Sequence, residues 1–416
     1  MSLHALESLL AVTLVAAIAP IVASALPGPK VPQIVILILA GVLIGPHGLG
    51  LADTTSLQLL SNIGLGFLFL LAGYEMDPRL FRERSGRLAM IGWAASALLA
   101  VAAVGVLARI HYVYDFVPIG LALTTTALGA LLPIMQENDM LGGRFGRYVL
   151  AAGAVGELFP IVAISLFLTK HNQFVALGSL LAVGVLALML TTAPRIVGDR
   201  RLRVLIQQGQ RATAQTTLRW SIVLLVVLLV LAKEFGLDIV LGALLAGMVL
   251  RSWTRRMQVD VEPLEEKLEA VGYGLLIPIF FVTAGMTLDI ESIVADPVRL
   301  IVFAGLLLIV RGLPSLLVYL RVLPLIQRVE MAFITATTLP LLIALTDIGE
   351  RDGVMLPANA AAIDGAGAIS VLVFPAIATL LHKRVRPARP DTSEIQSAAG
   401  SAEPGLSRPD RPGARK

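Results

Sequence analysis

Residues 150–168 read LAAGAVGELFPIVAISLFL and are apolar over a length that can cross a lipid bilayer. One ionisable residue, Glu157, stands near the middle of this stretch. A charged side chain at the centre of a membrane costs about 3 kcal/mol on insertion scales, so such residues usually line a pathway or have a partner. The strongest candidate partner is Arg311, which follows a second apolar stretch at residues 300–310. We therefore predict a membrane-spanning helix whose carboxylate has a specific role.

The composition extends this prediction to the whole chain. The protein has 416 residues and is 56% hydrophobic, above the roughly 45–50% of soluble domains. Its runs of about 20 apolar residues are apolar on all sides, whereas the helices of a soluble core are amphipathic. The sequence predicts an all-α polytopic membrane protein. The first run has no basic leading region, so we expect it to be a retained span and not a signal peptide.

We predict thirteen transmembrane helices. Their expected ranges are 3–26, 31–49, 55–76, 87–108, 115–136, 146–169, 174–194, 217–236, 238–253, 266–288, 298–320, 329–348 and 354–382. The transmembrane domain is thus expected at residues 1–383. Residues 384–416 are rich in Pro, Ser, Gly and Arg, and we expect a disordered cytoplasmic tail there.

The basic residues indicate the orientation. One set of alternating loops contains 19 lysines and arginines, and the other set contains five. Cytoplasmic loops carry the excess of Lys and Arg. We therefore expect the N-terminus outside and the C-terminus in the cytoplasm, in a membrane of the bacterial inner-membrane type.

Several function classes find no support in the sequence. The chain has no cysteine, and its five histidines lie near span ends or in loops without metal-ligand spacing. It has no phosphate-binding glycine motif and no nucleophile elbow. The net charge of +4 is explained by the loops, so nucleic acid is not an expected partner. We predict that the protein is not an enzyme, needs no cofactor, and holds no metal beyond a transported monovalent cation.

An internal repeat relates the two halves of the chain. Residues 67–77 (FLFLLAGYEMD) and 279–289 (IFFVTAGMTLD) share an apolar run followed by Ala-Gly-x-x-x-Asp, and their glycines are 212 positions apart. Thr125 and Thr337 are separated by the same 212 positions. With the predicted topology the halves are inverted, as in many transporters. We expect repeat one at about 3–169, a linker span at 174–194 and repeat two at about 217–382.

The threonine segments of this repeat predict interrupted helices in spans 5 and 12. The residues are Thr125, Thr126 and Pro133 in the first, and Thr337, Thr338 and Pro340 in the second. Proline removes a backbone donor, and the freed carbonyls and hydroxyls could coordinate a cation. The alternative is an ordinary kinked helix whose threonines bond to their own backbone.

Three segments resemble the signatures of a known family. Residues 31–50 (VPQIVILILAGVLIGPHGLG), 70–77 (LLAGYEMD) and 278–289 (PIFFVTAGMTLD) are similar to those of monovalent cation:proton antiporters, in the Kef-type branch of the sodium/proton-exchanger superfamily. The resemblance covers about residues 5–382. It implies thirteen spans in a homodimer, with a dimer domain of spans 1–3 and 8–10 and a moving core domain of spans 4–6 and 11–13.

The resemblance also implies roles for individual residues. Glu157 stands at the essential carboxylate of span 6, Arg311 at a basic position of span 11, and the four threonines in crossed, unwound segments. Family members commonly have Asp at the Glu157 position, preceded by Asp, Asn or Gln. Here the preceding residue is Gly156, so this site has one carboxylate where others have a pair of polar residues.

These expectations combine into a functional prediction. We expect a secondary transporter that exchanges Na⁺ or K⁺ for protons by alternating access, with both ions competing for Glu157. Asp364 in span 13 is a further candidate for the ion site, or else a polar residue capping a helix break near Gly365 and Gly367. A gated cation channel and a proton-coupled anion transporter that uses Arg311 are alternatives. Arg311 also has a structural interpretation, as a counter-charge between core helices.

Overall fold

The structure is a computed structural model that describes residues 3–25, 32–76, 79–168, 173–197, 215–257 and 262–385. Within these ranges every regular element is a helix, as the sequence predicts. Asp77, the last residue of the first repeat motif, lies outside the described residues, and so does the predicted tail from residue 386 onward.

The helices are numbered in chain order, and π-helical turns at Gly272–Leu276 and Leu308–Gly312 join α11 to α12 and α14 to α15. Their bounds are α1 Leu3–Ala25, α2 Gln33–Ile44, α3 Gln58–Glu75, α4 Arg84–Arg109, α5 Phe116–Ala122, α6 Leu128–Glu137, α7 Gly143–Phe167, α8 Gln173–Val197, α9 Thr216–Glu234, α10 Ile239–Met257, α11 Glu262–Val271, α12 Ile277–Thr287, α13 Ile290–Ala295, α14 Pro297–Leu307, α15 Leu313–Val318, α16 Leu325–Ala336, α17 Pro340–Arg351 and α18 Pro357–Val385.

Ten helical segments in the described part of the chain are long and apolar enough to cross a membrane. They match ten of the predicted spans. Short α2, the interrupted pair α5 and α6, and α10 occupy the other three predicted ranges. The all-helical membrane class is therefore confirmed, while the number of thirteen crossings stays a prediction.

Two pairs of glycines bring helices into backbone contact. Gly73 and Gly247 face each other between α3 and α10, and Gly41 and Gly285 do so between α2 and α12. A Cβ atom added to any of the four would lie 2.1 Å from a carbonyl oxygen of the facing helix. Because Gly73 and Gly285 are the glycines of the repeat motif, the motif marks the same kind of close packing in both halves.

Replacement of Gly73 by alanine tests this packing. We expect Gly73→Ala to lower the free energy of unfolding by about 1–3 kcal/mol, because α3 and α10 must separate to admit the methyl group. The measurement is thermal unfolding of the purified protein in detergent. Gly92→Ala in α4 is the matched control, since nothing lies within 4 Å of its added Cβ, and it should be neutral or stabilising. Equal melting temperatures for the two variants would contradict the close approach.

The helices pack in two groups. The first group contains α1, α2, α3, α9, α10 and α12, and the second contains α4 to α7 and α14 to α18. Helix α8 contacts both α7 and α10. The dimer and core domains that the resemblance implies stay a prediction. The groups meet where α7 contacts α10 and where α6 contacts α3, and Glu157 lies on α7 at this boundary.

Candidate functional site

Two unwound segments cross at the centre of the second helix group. The chain leaves helical geometry between α5 and α6 and again between α16 and α17, at residues 337–339. The segments are joined by a 2.7 Å hydrogen bond between the hydroxyls of Thr125 and Thr338 and by a 3.0 Å bond from Ala127 N to Thr337 O. These bonds satisfy backbone and side-chain groups that have no water to bind inside a membrane. The crossed, interrupted helices predicted from the repeat are present.

The threonines also bond to their own helices. Thr125 Oγ1 donates to Ala122 O at 2.7 Å, and Thr337 Oγ1 donates to Phe333 O at 2.9 Å. The two alternatives considered from the sequence therefore occur together: the helices unwind, and the threonine hydroxyls bond to backbone carbonyls of their own helices. Pro340 begins α17, directly after its break, but Pro133 lies inside α6. The expectation that Pro133 breaks its helix is wrong, because α6 resumes at Leu128.

Helix α7 is attached to this crossing at Gly156. Thr126 N donates to Gly156 O at 2.9 Å. A Cβ atom at Gly156 would lie 2.3 Å from Arg311 Nη2 and 2.7 Å from Thr126 Oγ1. The position that commonly carries Asp, Asn or Gln in the resembled family has no room for a side chain here. The absence of that side chain allows the guanidinium to pack on α7.

Arg311 lies in the π-helical turn Leu308–Gly312 and is 4% exposed. Its guanidinium donates to Thr126 Oγ1 at 2.5 Å from Nη2, to Thr335 O at 3.3 Å from Nε, and to Ser96 Oγ at 3.4 Å from Nη1. A buried cation needs such oxygen partners. Arg311 thus connects α4, the first unwound segment and α16.

The direct pairing of Arg311 with Glu157 is not formed. Among the described residues no ion pair joins them, and each hydrogen bond of the guanidinium goes to a hydroxyl or a backbone carbonyl. The physical reason is geometric, since Gly156 lets the guanidinium turn toward the crossing while Glu157 is the next residue along α7. The counter-charge role of Arg311 stays a prediction.

Glu157 is buried without a hydrogen-bond donor at one of its oxygens. The residue is 4% exposed, and Oε2 has no partner. Arg311, the predicted counter-charge, forms no ion pair with it among the described residues. A buried carboxylate with neither donor nor counter-charge is unfavourable. The arrangement can therefore accept a proton or a cation.

Asp364 does not join Glu157. Its two carboxylate oxygens each lie 3.0 Å from Thr346 Oγ1, and the charges that act on it belong to Asp347 and Glu350 at the end of α17. The helix break expected near Gly365 and Gly367 is also wrong, because α18 runs without interruption from Pro357 to Val385.

A cavity of about 330 Å³ opens near the same end of α17. Its lining is mostly polar and includes Asn62 of α3, Thr283 of α12, and Asp347 with its 2.9 Å ion-pair partner Arg351. Glu157 is not among the lining residues. The cavity lies between the two helix groups, on the side where the predicted topology places the exterior.

The sequence analysis missed four polar residues around the site. Ser96 and Thr335 bind Arg311, and they carry no sequence signal beyond a hydroxyl in an apolar run. Glu75 ends α3 and has a buried Oε2 without a hydrogen-bond partner, and Tyr273 lies in the π-helical turn Gly272–Leu276. Glu75 could have been found from the sequence, because it is an acidic residue inside the first repeat motif, residues 67–77, directly after its apolar part.

A comparison with protein families shows which family the chain belongs to. The model of the family described as "Sodium/hydrogen exchanger, transmembrane" matches residues 12–383. The chain belongs to the sodium/hydrogen exchanger family. The resemblance to cation:proton antiporters is confirmed by this match and by the relatives of the chain.

Two relatives illustrate the range of the family. The chain is 28% identical over 386 residues to YjbQ of Bacillus subtilis (strain 168), which is named as a candidate Na⁺/H⁺ antiporter. The match covers 85% of this chain and 60% of that one. The chain is also 29% identical over 364 residues to KefC of Enterobacter sp. (strain 638), which is named as a glutathione-regulated potassium-efflux system protein. This match covers 83% of this chain and 56% of KefC. The chain spans less than two thirds of the length of these curated relatives.

A solved structure shares the fold of this chain. The sodium proton antiporter MjNhaP1 from Methanocaldococcus jannaschii superimposes with a TM-score of 0.60 at 17% sequence identity, and the match covers 91% of this chain and 96% of that one. At this identity the likeness concerns the fold alone.

Substitution of Arg311 tests its connecting role. We expect Arg311→Ala to lower the free energy of unfolding by about 3 kcal/mol, because charge-assisted hydrogen bonds to three oxygens are lost. Arg311→Lys should be intermediate, since an ammonium cannot span the same three partners. Thermal unfolding of the purified protein in detergent is the measurement.

Arg351→Ala is the control for that series. Arg351 and Asp347 form an ion pair whose side chains are about half exposed, at 51% and 44%, so its loss should change stability by less than about 1 kcal/mol. If Arg311→Ala were as stable as Arg351→Ala, Arg311 would not hold the crossing together.

Proposed function

We propose that this chain is a secondary transporter that exchanges a monovalent cation, Na⁺ or K⁺, for protons by alternating access. Glu157 is the group that the two ions share. One observation carries the proposal: the buried carboxylate of Glu157 has an oxygen without a donor, in mid-helix at the boundary between two helix groups. Membership of the sodium/hydrogen exchanger family supports the same reaction.

Competition between the ions follows from burial. An ionised carboxylate without a partner costs several kcal/mol in an apolar interior, so Glu157 is neutralised by whichever ion is bound. Proton and cation cannot both neutralise one charge. If the site moves between the two faces of the membrane only with an ion bound, the proton flux and the cation flux are coupled. With Glu157 as the single shared carboxylate, one proton is exchanged for one cation.

The crossed segments support a cation site beside this carboxylate. Helices α6 and α17 both begin at the crossing, so their N-termini and the unwound backbone carry partial charges there. The hydroxyls of Thr125 and Thr126 already donate to protein oxygens. We propose that Thr125, Thr337 and Thr338 offer a cation their oxygen lone pairs, whereas the lone pairs of Thr126 Oγ1 accept from the Arg311 guanidinium.

The alternative functions are weaker on this geometry. An anion transporter would need Arg311 free for substrate, but Nε, Nη1 and Nη2 all donate to protein oxygens. A cation channel would need a continuous polar path, and the 330 Å³ cavity does not include Glu157 among its lining residues. The transport experiment below distinguishes a cation channel from an exchanger.

Transport in everted membrane vesicles tests the exchange. We expect Na⁺ or K⁺ added outside to dissipate a respiratory pH gradient reported by a trapped dye, and Glu157→Gln to reduce this response at least about tenfold. The same dye assay with Li⁺ and Rb⁺ shows which monovalent cations are transported. Glu234→Gln is the control, because Glu234 is an exposed glutamate at the end of α9.

The outcomes separate the candidates. No response of the wild type to any cation, or a response that Glu157→Gln leaves unchanged, contradicts the proposed role of Glu157. Cation-driven current without proton movement favours the channel.

We also propose that the chain is a homodimer in a membrane of the bacterial inner-membrane type, with its N-terminus outside. The chain contains no cysteine, so single cysteines report topology without background. Glu234→Cys should react with a membrane-impermeant maleimide in intact cells, and Arg82→Cys only after the inner membrane is opened, because the two exposed positions lie in loops of opposite predicted sides. The reverse labelling pattern would contradict the orientation.

A further inference from the structure

Helix α18 carries buried polar side chains at three levels of the membrane. Asn359, Ser370 and His382 are 1%, 0% and 7% exposed. At a rise of about 1.5 Å per residue, Asn359 and His382 lie about 35 Å apart along the helix axis, which exceeds the roughly 30 Å of a hydrocarbon core. Ser370 lies about halfway between them. Buried polar groups need hydrogen-bond partners, and each of the three bonds to a residue outside α18.

The exterior attachment joins α18 to α5, the half-helix that leads into the first unwound segment. Asp115, the residue before α5, accepts at Oδ2 from Asn359 Nδ2 at 2.8 Å and from Leu356 N at 2.7 Å. Asn359 Oδ1 accepts from Arg299 Nη1 of α14 at 3.1 Å. Asn359 thus uses both ends of its amide, and one buried side chain links α5, α14 and α18. In the predicted topology these helix ends lie at the exterior face.

The cytoplasmic attachment joins α18 to α16, the half-helix that leads into the second unwound segment. His382 Nδ1 lies 3.0 Å from Oε2 of Glu330, whose side chain is 0% exposed. The His382 ring stacks on Phe145 at the start of α7, with 6.0 Å between the ring centroids. Burial of a carboxylate is tolerable only with hydrogen-bonded partners. One imidazole therefore holds α16 to α18 and also contacts α7.

The middle attachment joins α18 to the crossing itself. Ser370 Oγ accepts from Thr338 N at 3.0 Å, and its hydroxyl donates to Thr338 O at 2.8 Å or to Gly367 O at 2.7 Å. Thr338 is bonded in turn to Thr125 of the other unwound segment. Backbone groups that a helix break frees inside a membrane need such partners. Ser370 supplies one, and it fixes the second unwound segment to α18.

The attachments at the two faces follow one plan. Each half-helix that leads into the crossing has a buried carboxylate near its outer end, Asp115 for α5 and Glu330 for α16, and both carboxylates bond to α18. The half-helices belong to opposite halves of the internal repeat and enter from opposite faces. The crossing has no continuous helix that could transmit a displacement between them. Helix α18 runs unbroken from Pro357 to Val385, so it provides this continuous connection.

We propose that Asn359, Ser370 and His382 are positioning residues of the exchange, which fix both interrupted spans to α18 so that the crossing keeps its geometry when the site changes sides. The inference rests on the proposed function. The bonds of these residues go to α5, α14, α16 and the crossing, so they act on Glu157 through the crossing. The attachments therefore govern the rate at which the site changes sides, and not its affinity for the cation.

Asn359→Leu tests the exterior attachment. Leucine has a similar volume but bonds to neither Asp115 nor Arg299. We expect the maximal rate of exchange to fall at least about tenfold, while the half-saturating concentration of Na⁺ or K⁺ changes less than about twofold. Asp115→Asn is the conservative variant, because an amide oxygen still accepts from Leu356 N and Asn359 Nδ2. It should keep most of the maximal rate.

Two further variants test the other attachments. His382→Leu combined with Glu330→Leu removes both partners at the cytoplasmic face, so neither is left opposite an apolar side chain. We expect this double variant to lose about tenfold in maximal rate, and Ser370→Ala to lose at least about threefold. Thr379→Val is the matched control on α18. Its hydroxyl donates to Pro375 O of the same helix at 2.7 Å, so the control should keep the wild-type rate.

The assay is proton movement driven by Na⁺ or K⁺ in everted vesicles, with each rate divided by the amount of folded protein. An attachment whose variant keeps wild-type kinetics has no positioning role, and unchanged kinetics in all three variants would overturn the inference while leaving the exchange intact. A rise of the half-saturating concentration that matches the loss of rate would also overturn it, as would an Asp115→Asn variant as slow as Asn359→Leu.

Two remaining outcomes are also decisive. If Asn359→Leu does not fold, the comparison of Ser370→Ala with Thr379→Val decides, because these two changes remove one hydroxyl each from the same helix. If the wild type exchanges neither cation, the proposed function itself fails and the positioning role fails with it.

Discussion

A helix interrupted inside a bilayer must satisfy the backbone groups that it frees without help from water. The two unwound segments do this by crossing, so that Ala127 N finds Thr337 O and Thr126 N finds Gly156 O. The second of these bonds reaches α7 at the residue before Glu157. The position of the carboxylate is therefore set by the same contacts that allow both helices to break, and the site depends on the crossing more than on the packing of α7 itself.

Gly156 explains why the charges are arranged as they are. The Arg311 guanidinium and Thr126 occupy the space that a side chain at Gly156 would need, so a second polar residue cannot precede Glu157. The resembled family commonly places two polar residues next to each other in the chain. Here Gly156 precedes Glu157, so Glu157 has no polar neighbour at that position of the chain.

Much of this organisation could be predicted from the sequence. Apolar runs of sufficient length predicted most of the helices, the 212-residue repeat predicted the interruptions at the threonine segments, and the family resemblance implied that these segments cross. The glycine contacts between helices were not predicted. Side-chain direction could not be predicted. Arg311 and Glu157 are the two charges in mid-span, so pairing them was the natural expectation, but a turn of π-helix and the missing Cβ at Gly156 direct the guanidinium elsewhere. Asp364 was misplaced for the same reason, since one face of α18 points toward Thr346.

The separation of the two charges has a consequence for the energetics of the membrane domain. Burial of a guanidinium is tolerable because Thr126, Thr335 and Ser96 supply oxygens at all times. Burial of the Glu157 carboxylate is tolerable only with an ion present, because Oε2 has no protein donor. If Arg311 neutralised Glu157, neither proton nor cation would be needed and the coupling would be lost. Arg311 bound to the crossing leaves the carboxylate without this counter-charge, and in the proposed exchange the resulting dependence on a bound ion links cation movement to proton movement.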